Sequence, residues 1–461
     1  MKELIELAVN SGRKWQSTQT GFIHYCYHLK GESTHYPIPI VENFLFVLAL
    51  LRTRNAENIT EAKELLSRLL YFQNEGFPIY QHDYPTCYSR TIGASLLPIF
   101  YWIQKDYLKI LPPDLKQRFE NAINELLDWT LEKDCEKPAP YPLALKIAAC
   151  AKVFRNEDRM QELLDRGPDP SWYNPVGIAD ILTGLQVLYP KISESPWKDF
   201  WDHVLQTWDP KIGSYTGPAM QEFQVQGEPQ VTAYDYFLGS LTKSFSARAK
   251  VLHPVALQAA LIQDWNEEIV PQSPGKRLFD SLSFGNISGS VQEVKNPYDP
   301  NLHKGFSPLR LLWGNLEQAN SFLCQGGNVL RMDYKVSDGV DCLFHIKGAP
   351  DTEEREKNRD VQFFVNLHED LKILVNGSPS TTFRFGETVT LEDAQARVSL
   401  TFTLDEGKGD FLGHIMRGNR PCQIAAKGKE RFSAYDYQIF LRTIRRKEPC
   451  QIKVHLKIEE K

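Results

Sequence analysis

The hexapeptide PQSPGK, Pro271–Lys276, separates two stretches of sequence whose apolar residues recur with different periods. Before it, apolar residues return every three or four positions, as one face of a helix requires. After it, they alternate with polar residues, as in a strand with one buried side. Two prolines and a glycine interrupt both patterns here. The sequence therefore predicts two domains, residues 1–270 and 277–461.

The first half reads as a series of helices that pair into hairpins. The first pairs are VENFLFVLALLRTR with ITEAKELLSRLLYFQNE, and RTIGASLLPIFYWIQKDYL with PDLKQRFENAINELLDWTLEK. The segments YPLALKIAACAKVF, NPVGIADILTGLQVLY, SPWKDFWDHVLQTW, AYDYFLGSLTKSF and HPVALQAALIQDW follow. Stacked helical hairpins form solenoids or closed rings, and no repeated motif accompanies these pairs. We therefore expect an α/α toroid.

The second half alternates on a two-residue period between Gly, Asn and Asp turns. The predicted strands include NVLRMDYKVS, VDCLFHIKG, VQFFVNLHE, LKILVNG, TTFRFGETVTL, RVSLTFTLDEG, YDYQIFLRTI and CQIKVHLKI. Such a run predicts an antiparallel β-sandwich. The fold class expected for the chain is α+β, an N-terminal toroid followed by a C-terminal sandwich.

Composition excludes several function classes. The chain has 461 residues, 24% of them charged, and a formal net charge of -5 without a long basic run; this argues against a nucleic-acid partner. We expect a cytoplasmic protein without a membrane partner, because no signal peptide and no window of ~18 apolar residues is seen. The eight cysteines include no C-x-x-C, so neither a metal site nor a cofactor is expected. The oligomeric state is not indicated.

The tetrapeptide AYDY occurs at Ala233 and again at Ala434. The first copy begins a predicted helix, where Tyr234 and Tyr236 are candidate catalytic residues and Asp235 and Glu222 are candidate substrate-binding residues. Neighbours on a helix point about 100° apart, so at most two of the three AYDY side chains can face one cavity. The alternative is a helix start capped by Thr232, with both tyrosines packed.

The second copy lies in a predicted strand. Alternation places Tyr435 and Tyr437 on one face and Asp436 on the other. A tyrosine-rich strand face is typical of packing, so this copy is interpreted as structural.

A toroid followed by a sandwich resembles the polysaccharide lyases of the heparinase II/III and alginate-lyase type. In those families an Asn, often followed by His, opens one toroid helix, and a catalytic Tyr lies in or beside a later helix. Here WYNPVGIADILTGL supplies Asn174, with Pro175 in place of the His. Tyr234 and Tyr236 follow at the start of a later predicted helix, where the family has its catalytic Tyr. The resemblance implies β-elimination on an acidic, uronate-containing saccharide, with Asn174 as a catalytic residue.

The elimination reaction requires residues of these types, an Asn and a Tyr. A proton beside a carboxylate is only weakly acidic, so a neighbouring Asn, Arg or neutral His must stabilise the charge that develops. A Tyr or His then removes the proton. Because the reference pKa of Tyr is about 10, a tyrosine base needs a basic environment.

The segment GFPIYQHDYPTCYSR, 76–90, joins two predicted helices and carries a cluster of candidate residues. Loops at one mouth of a helical ring are where binding groups collect. We take His82 as catalytic, and as substrate-binding Tyr80, Tyr84, Tyr88 and Arg90. The alternative is that the aromatic rings pack on helix ends and His82 meets solvent.

The segment from Phe22 to Asn43 holds three histidines, His24, His28 and His35. The first two have the spacing of a helical metal pair, but the sequence offers no third ligand. Lining a sugar site and ordinary packing are the remaining interpretations.

In the second half, GDFLGHIMRGNRPCQ is the candidate loop, because a β-domain loop contributes to the cleft of the lyases that the chain resembles. We take His414 as catalytic and Arg417 and Asn419 as substrate-binding. A Gly-rich hairpin held by arginine hydrogen bonds is the alternative.

The sequence thus favours a polysaccharide lyase acting on an acidic oligosaccharide or polysaccharide. A glycoside hydrolase is one alternative, and it requires two facing carboxylates, with Asp83, Glu222 and Asp235 as candidates. A non-catalytic carbohydrate-binding or scaffold protein is the other, favoured by Pro175 where the His is expected.

Overall fold

The computed structural model describes most of the helical half and the greater part of the strands. The described residues are 1–26, 37–156, 160–168, 175–191, 197, 200–201, 204–205, 208–209, 214–215, 231–243, 245, 247–263, 276–277, 285–289, 309–314, 319–326, 329–346, 359–366, 372–392, 396–417, 437–446 and 448–461. Within them, contacts group residues 1–201 and 231–263 into one compact unit, and 204–215 and 276–461 into a second.

The first unit is helical. Its α-helices are α1 (Lys2–Trp15), α2 (Ile40–Arg52), α3 (Ala56–Leu69), α4 (Arg90–Tyr107), α5 (Pro113–Glu136), α6 (Tyr141–Arg155), α7 (Met160–Arg166), α8 (Pro175–Leu188) and α9 (Ala233–Thr242). Segments of 3-10 helix are Leu70–Phe72, Gln81–Asp83, Leu108–Ile110, Ala247–Lys250 and Pro254–Leu261.

Local sequence explains where several helices begin and end. The side chain of Asn55 caps α3 by accepting hydrogen bonds from the backbone N–H groups of Glu57 at 2.9 Å and Asn58 at 3.2 Å. Pro113 opens α5 at a position whose N–H has no partner in any helix. Asn156 ends α6 in the left-handed conformation, with φ 57°.

The helices fall into two classes by burial. Every residue of α2 from Asn43 to Leu51 is buried, and so is every residue of α9 from Ala233 to Leu241. In α3, by contrast, the buried residues Ala62, Leu65, Leu66 and Leu69 form one face. A helix that is apolar on all sides must be surrounded, whereas an amphipathic helix covers it from outside.

The surrounded helices contact one another in a closed cycle. Helix α2 packs against α4, α4 against α6, α6 against α8, α8 against α9, α9 against Pro254–Leu261, and that segment against α2 again. We call these six the inner helices. The outer helices α3, α5 and α7 each pack against the inner helix that precedes them.

Hydrogen bonds at both ends fix the direction of the inner helices. At one end, Pro39 before α2 forms a β-bridge with Tyr80 before α4, and Arg90 at the start of α4 bonds the carbonyl of Lys137 before α6. At the other, Arg52 donates to the carbonyl of Ile262, and Gln186 of α8 to that of Leu261 at 2.9 Å. The N-termini of α2, α4, α6, α8 and Pro254–Leu261 therefore share one end of the unit.

The second unit consists of antiparallel strands. They are β1 (Trp208–Asp209), β2 (Ser214–Tyr215), β3 (Lys276–Arg277), β4 (Gly285–Gly289), β5 (Leu309–Gly314), β6 (Ala319–Gly326), β7 (Val329–Ser337), β8 (Gly339–Ile346), β9 (Arg359–Asn366), β10 (Lys372–Val375), β11 (Thr382–Phe383), β12 (Thr388–Glu392), β13 (Ala396–Glu406), β14 (Gly409–Arg417), β15 (Tyr437–Arg446) and β16 (Cys450–Glu460).

Two large sheets bury one common core. The order is β10-β12-β13-β16-β8-β7 in the six-stranded sheet and β11-β14-β15-β9-β6-β5-β4-β3 in the eight-stranded sheet. The Phe402 ring of the first lies 5.8 Å from Phe363 and 4.8 Å from Phe383 of the second. Alternate residues of β8 are buried, and Asp341 between them pairs with His455 at 2.7 Å on the opposite face. The α+β class is thus confirmed.

Some local predictions need correction. Residues 409–417, expected as a loop, form β14; Gly413 sits there because a side chain at that position would overlap the ring of Phe383. Trp208, expected at the end of a helix, belongs to β1. The segment Pro254–Leu261 is 3-10 rather than α-helix. The predicted domain boundary, Pro271–Lys276, lies outside the described residues except for Lys276, and stays a prediction.

Close packing between α1 and α2 gives a direct test of the helical unit. A Cβ at Gly12 would overlap the ring of Phe46, which is fully buried on α2. We expect Gly12→Ala to lower the free energy of unfolding by about 1–3 kcal/mol, because the buried ring has no room to move. Helix propensity alone predicts the opposite, a gain of about 1 kcal/mol.

Urea unfolding followed by circular dichroism measures this difference. Asn10→Ala is the matched control, since Asn10 is exposed on the same helix and should gain slightly in stability. A Gly12→Ala variant as stable as Asn10→Ala would contradict the packing described.

Candidate functional site

The segments that enter α2 and α4 lie side by side at the N-terminal end of these two helices. The backbone N–H of Gln81 donates to the carbonyl of Ile38 at 2.9 Å, and that of Tyr25 donates to the carbonyl of Pro37 at 3.0 Å. Helix N-termini carry unpaired N–H groups and the positive end of the helix dipole. This end of the unit therefore favours an anionic ligand.

A buried asparagine places the segment that carries Tyr25. Asn43, on the first turn of α2, is 1% exposed. Its Oδ1 accepts a hydrogen bond from the N–H of Ile23 at 2.8 Å, and its Nδ2 donates to the carbonyl of Ile23 at 3.1 Å. Nδ2 also donates to the carbonyl of Pro39 at 2.7 Å. Both backbone groups of Ile23 are thereby fixed to α2, two residues before Tyr25.

Tyr25 and His253 form a hydrogen-bonded pair at this end. The Tyr25 hydroxyl lies 2.7 Å from Nε2 of His253, which directly precedes the helical segment Pro254–Leu261. The two rings meet edge to face at 5.2 Å, and Tyr25 packs against Trp15 in the same way at 4.8 Å. Packing on two sides holds the phenol in one orientation, with the residue 8% exposed.

The second ring nitrogen of His253 decides which partner donates. Nδ1 accepts a hydrogen bond from the backbone N–H of Val255 at 3.2 Å, so it carries no proton. Burial, aided by the positive charge of Lys14, lowers the pKa of His253 to about 4. The imidazole is therefore neutral at pH 7, with its proton on Nε2. His253 donates to the Tyr25 oxygen, and a donated hydrogen bond stabilises a phenolate.

Tyr80 and His82 lie next to this pair. Their rings stack at 5.6 Å with an interplanar angle of 24°, and the Tyr80 hydroxyl lies 4.0 Å from Sγ of Cys26, the residue after Tyr25. The His82 side chain is 58% exposed and contacts Asp83 at 3.0 Å. An exposed ring surface is thus available for a ligand here.

The remaining residues of the 76–90 loop are held by helix ends. Tyr84 is exposed, with its ring 6.2 Å from Phe72. Tyr88 packs against Trp129. Arg90 donates to the carbonyl of Lys133 at 3.2 Å and pairs with Asp134 at 3.5 Å. The guanidinium of Arg90 is therefore engaged with the end of α5, and substrate binding by these three residues stays a prediction.

The first AYDY copy begins α9, as predicted. Tyr234 is fully buried and Tyr236 is 1% exposed. Asp235 forms a capping box with Thr232, whose backbone N–H it accepts at 2.9 Å. Burial, with the nearby charge of Asp235, raises the pKa of Tyr236. That shift is opposite to what a tyrosine base needs, and the catalytic role of both tyrosines stays a prediction.

The predicted residues of the second unit lie on and after β14. His414 is in the middle of the strand, with its ring stacked on Phe440 at 5.2 Å and 22°. Arg417 is exposed at the end of the strand. Tyr437 of the second AYDY copy packs on the core of the sheets, as the structural interpretation expects.

Three predicted site residues, Asn174, Glu222 and Asn419, lie outside the described residues. Within the described ranges, no group of three or more His, Cys, Asp or Glu side chains is arranged to hold a metal ion. Of the helices in the same ranges, none has the length and apolar character needed to span a bilayer.

The sequence did not single out Tyr25 or His253. They are 228 positions apart, and only the fold brings them together. The one available signal was local: His253 followed by Pro254 has the pattern of a capping residue before a helix with Pro at its first position.

The pKa of His253 predicts part of the pH dependence of stability. Because its pKa is near 4 in the folded state and about 6.5 when unfolded, the unfolded chain binds more protons between these values. The free energy of unfolding therefore falls as the pH drops from 6.5 to 4, by up to roughly 3 kcal/mol from this group. His253→Asn keeps a capping side chain and should lose that contribution.

Urea unfolding of both proteins near each end of this pH window checks the prediction. Carboxylates titrate alike in the parent and in His253→Asn. The difference in unfolding free energy between these two proteins therefore reports on His253. His82→Asn, which removes an exposed histidine, should behave like the parent. If parent and His253→Asn lose the same stability on acidification, His253 is not held neutral as described.

Comparison with known proteins identifies no relative by sequence. No protein-family model matches the chain, and no curated protein does. Two solved structures of a heparinase III gene product are similar. One, with methylated lysines, shows 11% identity and a TM-score of 0.32, covering 100% of this chain and 85% of that one. The other shows 9% identity and a TM-score of 0.35, covering 100% and 84%. Likeness at this level gives no information on residues or substrate.

Proposed function

We propose that this protein binds an acidic, uronate-containing oligosaccharide or polysaccharide at the N-terminal end of its inner helices and cleaves it by β-elimination. The observation that carries the proposal is the hydrogen bond from neutral His253 to the Tyr25 hydroxyl. It provides a tyrosine whose ionised form is stabilised, at an end of the unit where helix dipoles favour an anion.

The reaction assigns a definite role to Tyr25. Its phenolate removes the proton from the ring carbon beside the carboxylate, and the electron pair forms a carbon–carbon double bond as the glycosidic carbon–oxygen bond breaks. The protonated tyrosine can then return the proton to the leaving oxygen. His253 donates to the phenolate oxygen before the reaction and is a positioning residue. The helix N-termini and His82 are the described groups that can offset the substrate's charge.

Tyr25 meets the requirements of a base better than Tyr236 does. Burial and the nearby charge of Asp235 raise the pKa of Tyr236. Tyr25 is buried too, at 8% exposed, but its oxygen receives a hydrogen bond that favours the ionised form. The proposal keeps the reaction class expected from the sequence and moves the proton transfer to a different tyrosine.

The proposed architecture is that of a toroid joined to a sandwich. We infer a toroid from the closed cycle of inner helices, and a sandwich from the common core of the two sheets.

A glycoside hydrolase has weaker support. Of its three candidate carboxylates, Asp83 contacts His82 and Asp235 is engaged in the capping box of α9. Glu222 is outside the described residues. A pair of facing carboxylates at roughly 5–10 Å, which hydrolysis requires, is not found among the candidates that the structure describes.

The reaction class is tested by product analysis. Incubation with unsulfated and sulfated uronate oligosaccharides should give chain ends with an unsaturated, ultraviolet-absorbing uronate, without any added metal. Saturated ends would assign the protein to the hydrolases. Binding without cleavage would favour the carbohydrate-binding alternative.

The role of Tyr25 is tested on whichever of these substrates is cleaved. Tyr25→Phe removes only the hydroxyl, so turnover should fall by about 10²–10⁴-fold while the fold is retained. Tyr107→Phe, at the opposite end of α4, is the matched control and should retain parental turnover. If Tyr25→Phe stays active while Tyr234→Phe or Tyr236→Phe is inactive, the chemistry belongs to the first AYDY copy instead.

A further inference from the structure

A lysine and an aspartate form an ion pair between the inner helices α6 and α8. Nζ of Lys146 lies 2.5 Å from Oδ1 of Asp180. The lysine side chain is 6% exposed and the aspartate side chain 29%. The ammonium is thus nearly enclosed, while the carboxylate is in contact with accessible space.

The pair has hydrogen-bonding capacity left over. An ammonium has three N–H donors and a carboxylate can accept several hydrogen bonds. Among the described residues, the hydrogen bond between Lys146 and Asp180 is the one that either side chain makes. An enclosed donor without an acceptor is unfavourable by about 1–3 kcal/mol, more when charged. Two donors of Lys146 and Oδ2 of Asp180 are therefore available to a ligand.

The position of the pair points to the same end as the candidate site. Each residue is the sixth of its helix, and side chains on a helix lean toward its N-terminus. Between Gly177 and Val187, every residue of α8 is buried except Asp180. Both side chains therefore lean toward the end that carries Tyr25, Tyr80 and His82.

The charge of the pair selects the ligand. The two charges cancel, so a carboxylate attracted by Lys146 would be repelled by Asp180. A neutral ligand must offer an acceptor for the ammonium beside a donor for the carboxylate. Two hydroxyls on adjacent carbons of a sugar ring have this arrangement.

We propose that Lys146 and Asp180 form a subsite that binds a pair of adjacent sugar hydroxyls in the same saccharide that Tyr25 acts on. The ligand class rests on the proposed function. The subsite selects saccharides with both hydroxyls free, so methylation or sulfation of either one removes a hydrogen bond and adds bulk beside an enclosed ammonium.

Binding can be measured apart from cleavage in the full chain carrying Tyr25→Phe. The probe is an unsulfated tetrasaccharide of alternating glucuronate and N-acetylglucosamine, titrated by calorimetry at low and high salt. Lys146→Met and Asp180→Asn should each raise Kd about tenfold or more, the loss of one hydrogen bond to a charged group. Arg155→Met, which removes a cation paired with Asp128 at the other end of α6, should leave Kd unchanged.

Salt separates the proposal from simple charge attraction. The double variant Lys146→Met/Asp180→Asn removes both charges and leaves the net charge of the subsite unchanged, so its effect on Kd should be the same at both salt concentrations. An effect of Lys146→Met that vanishes at high salt would show that the lysine attracts the uronate carboxylate, and would overturn the proposal. Unchanged Kd in both variants, or no binding of the probe to the parent, would overturn it as well.

A second measurement covers the case in which Lys146→Met does not fold. The ζ-nitrogen signal of Lys146, assigned with Lys146→Arg, should shift when the tetrasaccharide is added to the isotopically labelled protein. A signal that does not move while the probe binds rules out contact. If the probe binds through this pair but the parent protein releases no unsaturated ends, the proposed elimination is wrong and the proposed subsite is still supported.

Discussion

Helices without a polar side can be stable only when other helices surround them, and this constraint organises the helical unit. Residues Asn43 to Leu51 of α2 and Ala233 to Leu241 of α9 are buried without interruption. Each such helix needs neighbours on every side. A closed cycle of inner helices with outer helices between successive members meets that need. Hydrogen bonds at the two ends of the cycle bring the N-termini of α2, α4, α6, α8 and Pro254–Leu261 to one end.

Each of the buried polar groups at that end has an identifiable structural role. Asn43 fixes the backbone of Ile23, Asp235 caps α9, and Nδ1 of His253 caps Pro254–Leu261. Each satisfies backbone groups that a helix end or a loop would otherwise bury without partners. The proposed chemistry uses the ring nitrogen of His253 that does not cap the helix. Nε2 can donate to Tyr25 because Nδ1 already accepts a backbone hydrogen bond.

Periodicity predicted the elements well and the site poorly, for physical reasons. The predicted segments 90–108 and 141–154 match α4 and α6 within one residue, because burial imposes its period on the sequence. The prediction at 409–417 was wrong because its glycines were interpreted as a turn. Gly413 is instead required by close contact with Phe383 on the neighbouring strand. The pairing of Tyr25 with His253, and of Lys146 with Asp180, depends on which helices become neighbours. Neither pair leaves a local pattern, since the partners lie 228 and 34 positions apart.

The hydrogen bonds between Asn43 and Ile23 have a consequence for the entropy of ligand binding. They tie residues 22–26 to a helix that is enclosed on all sides, so this segment cannot open locally without disrupting α2. Its amide protons should exchange with solvent only through unfolding of the whole helical unit. The phenol of Tyr25 is then already ordered before a saccharide arrives, and the conformational entropy of residues 22–26 is lost during folding rather than during recognition.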